Sequence, residues 1–227
     1  WRTGINDPNI SIPIEGHARP SIRMPERYPN GQWKNWSKTA LLWMSIGYET
    51  QIPPIYTLTF YNAIANNGRM MQPRFVKATV KNGDTLTAYP PQVVKGREQI
   101  ASEKTIKIMQ DLLHRVVING TGKKANSPNF WVCGKTGTAM IAKNGSYKGA
   151  PNHLLSFAGW FGEKDKPYYS CIVCIQKQGL PAYGWMSGQV FKDIAEGIMA
   201  KYVRYDISDA RDSTSHPIPD VKNGNIF

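Results

Sequence analysis

Phe130-Trp131-Val132-Cys133-Gly134-Lys135-Thr136-Gly137-Thr138-Ala139 decides the fold class. Residues 130–138 read as a strand, because the run opens on aromatic and β-branched residues. Runs 154–161 and 168–176 have the same character and are joined by turn-rich loops. The link Gly162-Glu163-Lys164-Asp165-Lys166-Pro167 is short, as an antiparallel hairpin requires. Upstream the period becomes helical. Pro53-Pro54 suits a start and Asn67-Gly68 a stop, which predicts a helix over 54–66. Ile55, Leu58, Tyr61 or Asn62, and Ala65 would form its buried face. Residues 70–80 read as a turn and a strand-like passage, with Asn82-Gly83-Asp84 as the next turn. Ser102 is a good N-cap with Glu103 in the first turn. Ile106, Met109, Leu112, Leu113 and Val116 then recur at helical spacing until Asn119-Gly120. A last helix is predicted over 189–203, its stripe being Val190, Phe191, Ile194, Ile198 and Tyr202. Helices, then strands, then a closing helix argue for an α+β fold, an antiparallel sheet packed with helices.

The composition sets the outer bounds. The chain has 227 residues, 28 of them basic and 16 acidic, for a formal charge of +12. A hydrophobic share of 41% and an aromatic share of 11% exclude a disordered chain. No run approaches the roughly 20 apolar residues that span a bilayer. The start lacks the pattern of a signal peptide. Pro8, Pro13, Pro20, Pro25 and Pro29 break up residues 1–40. That segment reads as an extended stretch lying against something, since it holds Trp33 and Trp36. Residues 207–227 turn polar and read as a tail or linker, leaving 1–206 as the folded portion.

The positive charge fits an anionic neighbourhood, but it is spread along the chain. Lys123-Lys124 is only a pair, and no basic arm exists, so nucleic acid is not the expected partner. Cys171 and Cys174 match C-x-x-C inside a β-rich run. Residues three apart on a strand point to opposite faces, so these thiols are expected to be core cysteines. No second C-x-x-C or spaced histidine pair completes a zinc set, and no metal or cofactor is called for. His114 sits among apolar residues of a helix and reads as structural.

Gly134 to Ala139 carries the chemistry. A lysine in an otherwise apolar strand must reach solvent or line a cleft. Glycine within a strand often marks close approach of a ligand or another backbone. Two hydroxyls beside Lys135 make a cationic, donor-rich patch that suits a carboxylate or oxyanion. The plainer reading is an edge strand whose lysine guards against aggregation. Strict alternation places Lys135 and Gly137 on one face, Thr136 and Thr138 on the other. If both sets serve one site, the strand must twist, bulge or lie at an edge.

K-T-G is one of three signature motifs of penicillin-binding proteins and class A β-lactamases. More of the chain resembles that family: Thr3-Gly4-Ile5, Ser45-Ile46-Gly47, Thr57 to Tyr61, Ile64-Ala65-Asn66-Asn67-Gly68 with Pro73, Gly120-Thr121-Gly122, Ser156-Phe157-Ala158-Gly159, and Gly184 to Phe191. The matches run in order over residues 1–205. They most resemble a class B penicillin-binding protein of the cell-division type. The resemblance implies a penicillin-binding-protein/serine β-lactamase-like transpeptidase fold. It also implies a serine D,D-transpeptidase that cross-links peptidoglycan stem peptides and is acylated by β-lactam antibiotics. By the same resemblance, Lys135 and Thr138 are catalytic. Lys135 would serve proton traffic and attract the substrate carboxylate, and the backbone N–H of Thr138 would form half of an oxyanion hole. Thr136, Gly137 and Thr138 would bind substrate. Tyr183, Gly184 and Trp185 would either border the cleft or pack. A membrane anchor outside this chain, an extracytoplasmic active site and cell-division membrane proteins as partners are further implications.

The chain also departs from the family pattern. None of its 13 serines has lysine three residues on, so the S-x-x-K nucleophile motif is missing. S-x-N occurs as Ser127-Pro128-Asn129, just ahead of the K-T-G strand, and reads as a chance match in a loop. The expectation is a C-terminal portion of a transpeptidase domain, incomplete at its N-terminus and inactive alone. A non-catalytic scaffold of the same fold is the rival, as is a β-lactam sensor or serine β-lactamase.

Overall fold

The computed structural model describes residues 3–34, 36–141 and 152–203. The polar tail expected over 207–227 lies outside the described residues. In chain order the elements are β1 (Ser21–Ile22), β2 (Glu26–Arg27), β3 (Trp33–Lys34), α1 (Ala40–Ser45), β4 (Thr50–Gln51), α2 (Pro54–Ala65), β5 (Ala78–Lys81), β6 (Asp84–Ala88), α3 (Glu103–Ile118), β7 (Trp131–Ile141), β8 (Asn152–Gly162), β9 (Pro167–Gln178) and α4 (Trp185–Ile198). The main sheet is antiparallel, in the order β7-β8-β9. Three small antiparallel pairs, β1-β4, β2-β3 and β5-β6, lie apart from it. The turn between β5 and β6 is Asn82-Gly83, both at positive φ, which matches the right-handed twist of a tight hairpin.

Helices cover both faces of the main sheet. On one face Val132, Phe157, Phe161 and Val173 pack against Phe191 and Ala195 of α4 and Val117 of α3. On the other, Cys133 and Trp160 meet Ile64 and Ala65 of α2 and Leu113 of α3. The alternation of the strands therefore fills two cores at once. A third cluster joins Tyr56, Ala63 and Met70 to Ile10, Ile12 and Val94. The proline-rich start is thus held by two isoleucines. Trp33 is exposed and lies beneath the Arg27 guanidinium instead.

Three predicted stripes differ from what the packing selects. The sequence reading expects one face on α2, but the helix is buried on two sides. Tyr56 and Ala63 face the N-terminal segment, while Ile64 and Ala65 face the sheet. On α3, Leu112 is exposed, and His114 and Val117 take the inner positions. On α4, Val190 and Ile194 are exposed, and small residues (Ser187, Gly188 and Ala195) lie inward with Phe191. Large residues there would hold the helix off the sheet. Of the cysteines, Cys133 is buried, Cys171 half-buried and Cys174 exposed. Cys171 and Cys174 do point to opposite faces, but Cys174 faces away from the core. Burial pushes the Cys133 thiol up to about 12, which leaves it protonated and unreactive.

The N-terminal segment is pinned by one buried ion pair. Arg97 Nε donates to Asp7 Oδ2 at 2.5 Å, and the Asn9 amide donates to Asp7 Oδ1 at 2.8 Å. Burial pushes the Asp7 carboxyl up, but the Asn9 amide and the Arg97 guanidinium outweigh it and hold it below its ordinary value of 3.8. A depressed carboxylate stabilises the fold above its unfolded pKa, and the gain is lost as pH falls through the folded value. Stability should therefore drop below about pH 4. Asp7→Asn should cost about 2 kcal/mol at pH 7 and flatten that acid limb. Urea midpoints at pH 7, 5 and 3 test both statements.

Candidate active site

The chemistry-bearing end of β7 is built from the backbone outward. β7 is a terminal strand of the described sheet, paired with β8 without a register shift from Trp131↔Gly162 to Ile141↔Asn152. Along an antiparallel edge strand, the peptide groups of every second residue face outward. Three contacts fix which residues these are. The Val132 carbonyl accepts from His114 Nδ1 at 2.8 Å, so that nitrogen carries the proton. The Thr136 carbonyl accepts from Lys135 Nζ at 2.9 Å, and the Met140 amide donates to Tyr48 Oη at 3.3 Å. The same parity turns the N–H and C=O of Thr138 to the outer edge.

Lys135 and Thr138 are exposed, and Thr136 and Gly137 are half-buried. The two faces are reconciled at the edge rather than by a bulge. Lys135 starts on the Gly137 face, and its Nζ wraps round the strand to the Thr136 carbonyl and to Thr136 Oγ1 at 3.3 Å. Thr136 Oγ1 is also 2.9 Å from Thr121 Oγ1. An ammonium and two hydroxyls thus converge at one point on the edge. Among the described residues, the ion-paired cations are Arg23, Lys34, Arg97, Arg115 and Lys192. Among the described residues, no carboxylate pairs with Lys135.

Gly184, just ahead of α4, closes the threonine face. A Cβ there would stand 2.8 Å from Thr138 Oγ1 and 3.3 Å from Thr136 Cβ. Tyr183 and Trp185 stand on either side of Gly184, exposed and stacked with ring centroids 6.0 Å apart. On the opposite face, the space a Cβ would need at Gly137 is held by Ser156 Oγ. Ser127-Pro128-Asn129 lies ahead of β7, with the Ser127 hydroxyl 3.5 Å from Glu196 of α4. His114 is buried and stacks on Trp131 at 3.4 Å, a packing role.

The structure brings Lys135, Thr136, Gly137 and Thr138 to one open edge. It adds Thr121 and Tyr48, which residue chemistry alone did not single out. Gly120-Thr121-Gly122 read as a helix stop and a family resemblance, and nothing in its spacing tied it to residue 136. An open strand edge with a cation and hydroxyls at one end can take an extended chain that ends in a carboxylate.

Residues 18–196 match the family described as the penicillin binding protein transpeptidase domain. The chain is 31% identical over 156 residues to stage V sporulation protein D of Bacillus subtilis, covering 68% of this chain and 23% of that protein. It is 28% identical over 171 residues to a peptidoglycan D,D-transpeptidase FtsI homolog of Mesostigma viride, covering 68% and 28%. It thus spans about a quarter of the length of these curated relatives. The fold matches penicillin binding protein 3 of Mycobacterium tuberculosis, solved in complex with aztreonam, with a TM-score of 0.66 and 24% identity. That match covers 91% of this chain and 45% of that one, and a match to a structure from Atopobium parvulum covers 88% and 43%, with a TM-score of 0.63 and 23% identity. With its K-T-G segment on an open edge of an antiparallel sheet, the chain belongs to the penicillin-binding-protein transpeptidase domains, on the class B side of that family.

Proposed function

We propose that this chain supplies the K-T-G wall of a peptidoglycan D,D-transpeptidase. The observation that carries the reading is the outward edge of β7, where Lys135 Nζ meets Thr136 Oγ1 and the Thr138 peptide shares the same outward parity two residues on. In this reading an acyl-D-Ala-D-Ala end lies along β7. Its carboxylate takes the ammonium of Lys135 and the hydroxyls of Thr136 and Thr138. The outward N–H of Thr138 donates to the oxyanion that forms when a serine attacks the scissile carbonyl. In the same reading Lys135 also serves proton transfer near that serine.

The serine itself is not among the residues of this chain that could serve, since no S-x-x-K occurs. It is supplied by another part of the full-length protein, and the chain alone neither acylates nor turns over. Membrane anchoring, an extracytoplasmic site, β-lactam acylation and division partners belong to the same proposal. Residues 1–206 act as the C-terminal portion of the transpeptidase domain, and 207–227 as a polar tail or linker. The absence of S-x-x-K also supports a second reading, a scaffold that keeps the fold without the chemistry.

Fluorescent penicillin separates the two. The full-length protein should take a covalent label that survives denaturation. Lys135→Ala should slow labelling at least about tenfold while the melting temperature stays within a few degrees. A full-length protein that folds and takes no label would establish the scaffold reading instead.

A further inference from the structure

The outer edge of β7 is stopped at both ends. At one end His114 holds the Val132 carbonyl at 2.8 Å. At the other, Tyr48 Oη holds the Met140 amide at 3.3 Å, across 92 positions of sequence. The stretch between them, Gly134 to Thr138, is about 14 Å long at ~3.4 Å per residue, the span of about four extended residues, with its Thr136 carbonyl held by the Lys135 ammonium.

Tyr48 is held in place by its own surroundings. Gly47 and Glu49 flank it at φ of 96° and 61°, a tight turn that projects the ring. Its amide donates to the Trp43 carbonyl at 3.0 Å, and the Trp43 ring meets its ring edge-on at 5.5 Å. Glu49 is tied to Arg23 at 2.7 Å. The hydroxyl therefore reaches the strand from a fixed base.

We propose that Tyr48 is a positioning residue that ends the strand-pairing slot and sets how many residues of an acyl-D-Ala-D-Ala chain pair with β7. This rests on the reading of β7 as the stem-peptide edge. With the carboxylate at Lys135 and Thr136, the preceding residues of the guest run toward Met140. A ladder would continue through the Met140 amide if that donor were free. Tyr48 occupies it, so residues further upstream in the guest leave the strand and contribute no main-chain hydrogen bond.

The test compares acetyl-Lys-D-Ala-D-Ala with acetyl-Ala-Ala-Lys-D-Ala-D-Ala, titrated into the whole chain and followed by amide chemical shifts along β7. The wild type should bind the two within about twofold, because the added residues find no partner. Tyr48→Phe keeps the ring and frees the Met140 amide. It should bind the longer peptide about threefold to tenfold tighter than the wild type does, the factor one added hydrogen bond supplies, with the shorter one unchanged. The Met140 amide should also exchange faster in unliganded Tyr48→Phe. The slot proposal is overturned if Tyr48→Phe shows no length preference, or if the wild type already prefers the longer peptide. In both cases the short peptide still shifts the Thr136 and Thr138 amides, so the stem-peptide reading survives. If neither peptide moves those amides in the wild type, that reading falls and the slot with it.

Discussion

Gly159→Ala should destabilise the fold by about 3 kcal/mol, a loss of roughly 6–12 °C in melting temperature for a domain of this size. Gly159 and Gly134 are register partners on β8 and β7. A Cβ at Gly159 would run into the Cys133 carbonyl and stand 2.9 Å from the Gly134 Cα, both of them backbone. Backbone cannot rotate aside as a flexible side chain would, so the two strands must separate. Gly134 is constrained in the same way. A Cβ there would lie 2.5 and 2.6 Å from Phe157 ring atoms, and Phe157 is fully buried at the centre of its cluster. Gly134 thus lets that ring lie against the strand one residue before Lys135. Gly197→Ala is the control. It lies in α4 with nothing within 4 Å of its Cβ, so alanine should raise stability by up to about 1 kcal/mol. Thermal and urea unfolding of the three proteins checks the contrast. Equal stability of Gly159→Ala and wild type would mean that β7 and β8 are not packed as described.

Why the glycine pair matters also shows which features the sequence could reveal. The strands over 130–176 and the Ser102 cap depend on neighbours a few residues away, so local pattern sufficed. Ser102 Oγ accepts from the Thr105 amide at 3.2 Å, as the spacing predicted. The stripe on α4 was misread because a helix that packs tightly on a sheet needs small inward residues, and hydrophobic periodicity weights large ones. α2 was misread because a helix buried on two sides has no single stripe. The K-T-G residues stood out in the sequence as a cation beside two hydroxyls, and the conflict between their two faces was visible as well. Its resolution was not, because a terminal strand is a property of the whole sheet. Tyr48 and Thr121 reach the site through pairing that only the fold defines.

The outward parity of β7 makes a proline scan the sharpest test of the site. Proline removes an N–H, and within sheets it is tolerated where that N–H faces away from the ladder. Thr138 faces outward and Ala139 faces β8, opposite Leu154. Thr138→Pro should therefore stay folded, whereas Ala139→Pro breaks a ladder bond in the middle of a strand and should cost about 3 kcal/mol. Function should divide the other way. In the full-length protein, Thr138→Pro takes away the proposed oxyanion donor and should slow acylation by fluorescent penicillin about 100-fold to 1000-fold. Thr138→Val loses the hydroxyl and keeps the N–H, so it isolates the side chain. It should lose about tenfold, the cost of one hydrogen bond to a carboxylate. A folded Thr138→Pro that acylates as fast as Thr138→Val would remove the backbone donor from the mechanism and leave only the side chains of Lys135, Thr136 and Thr138 to explain the site.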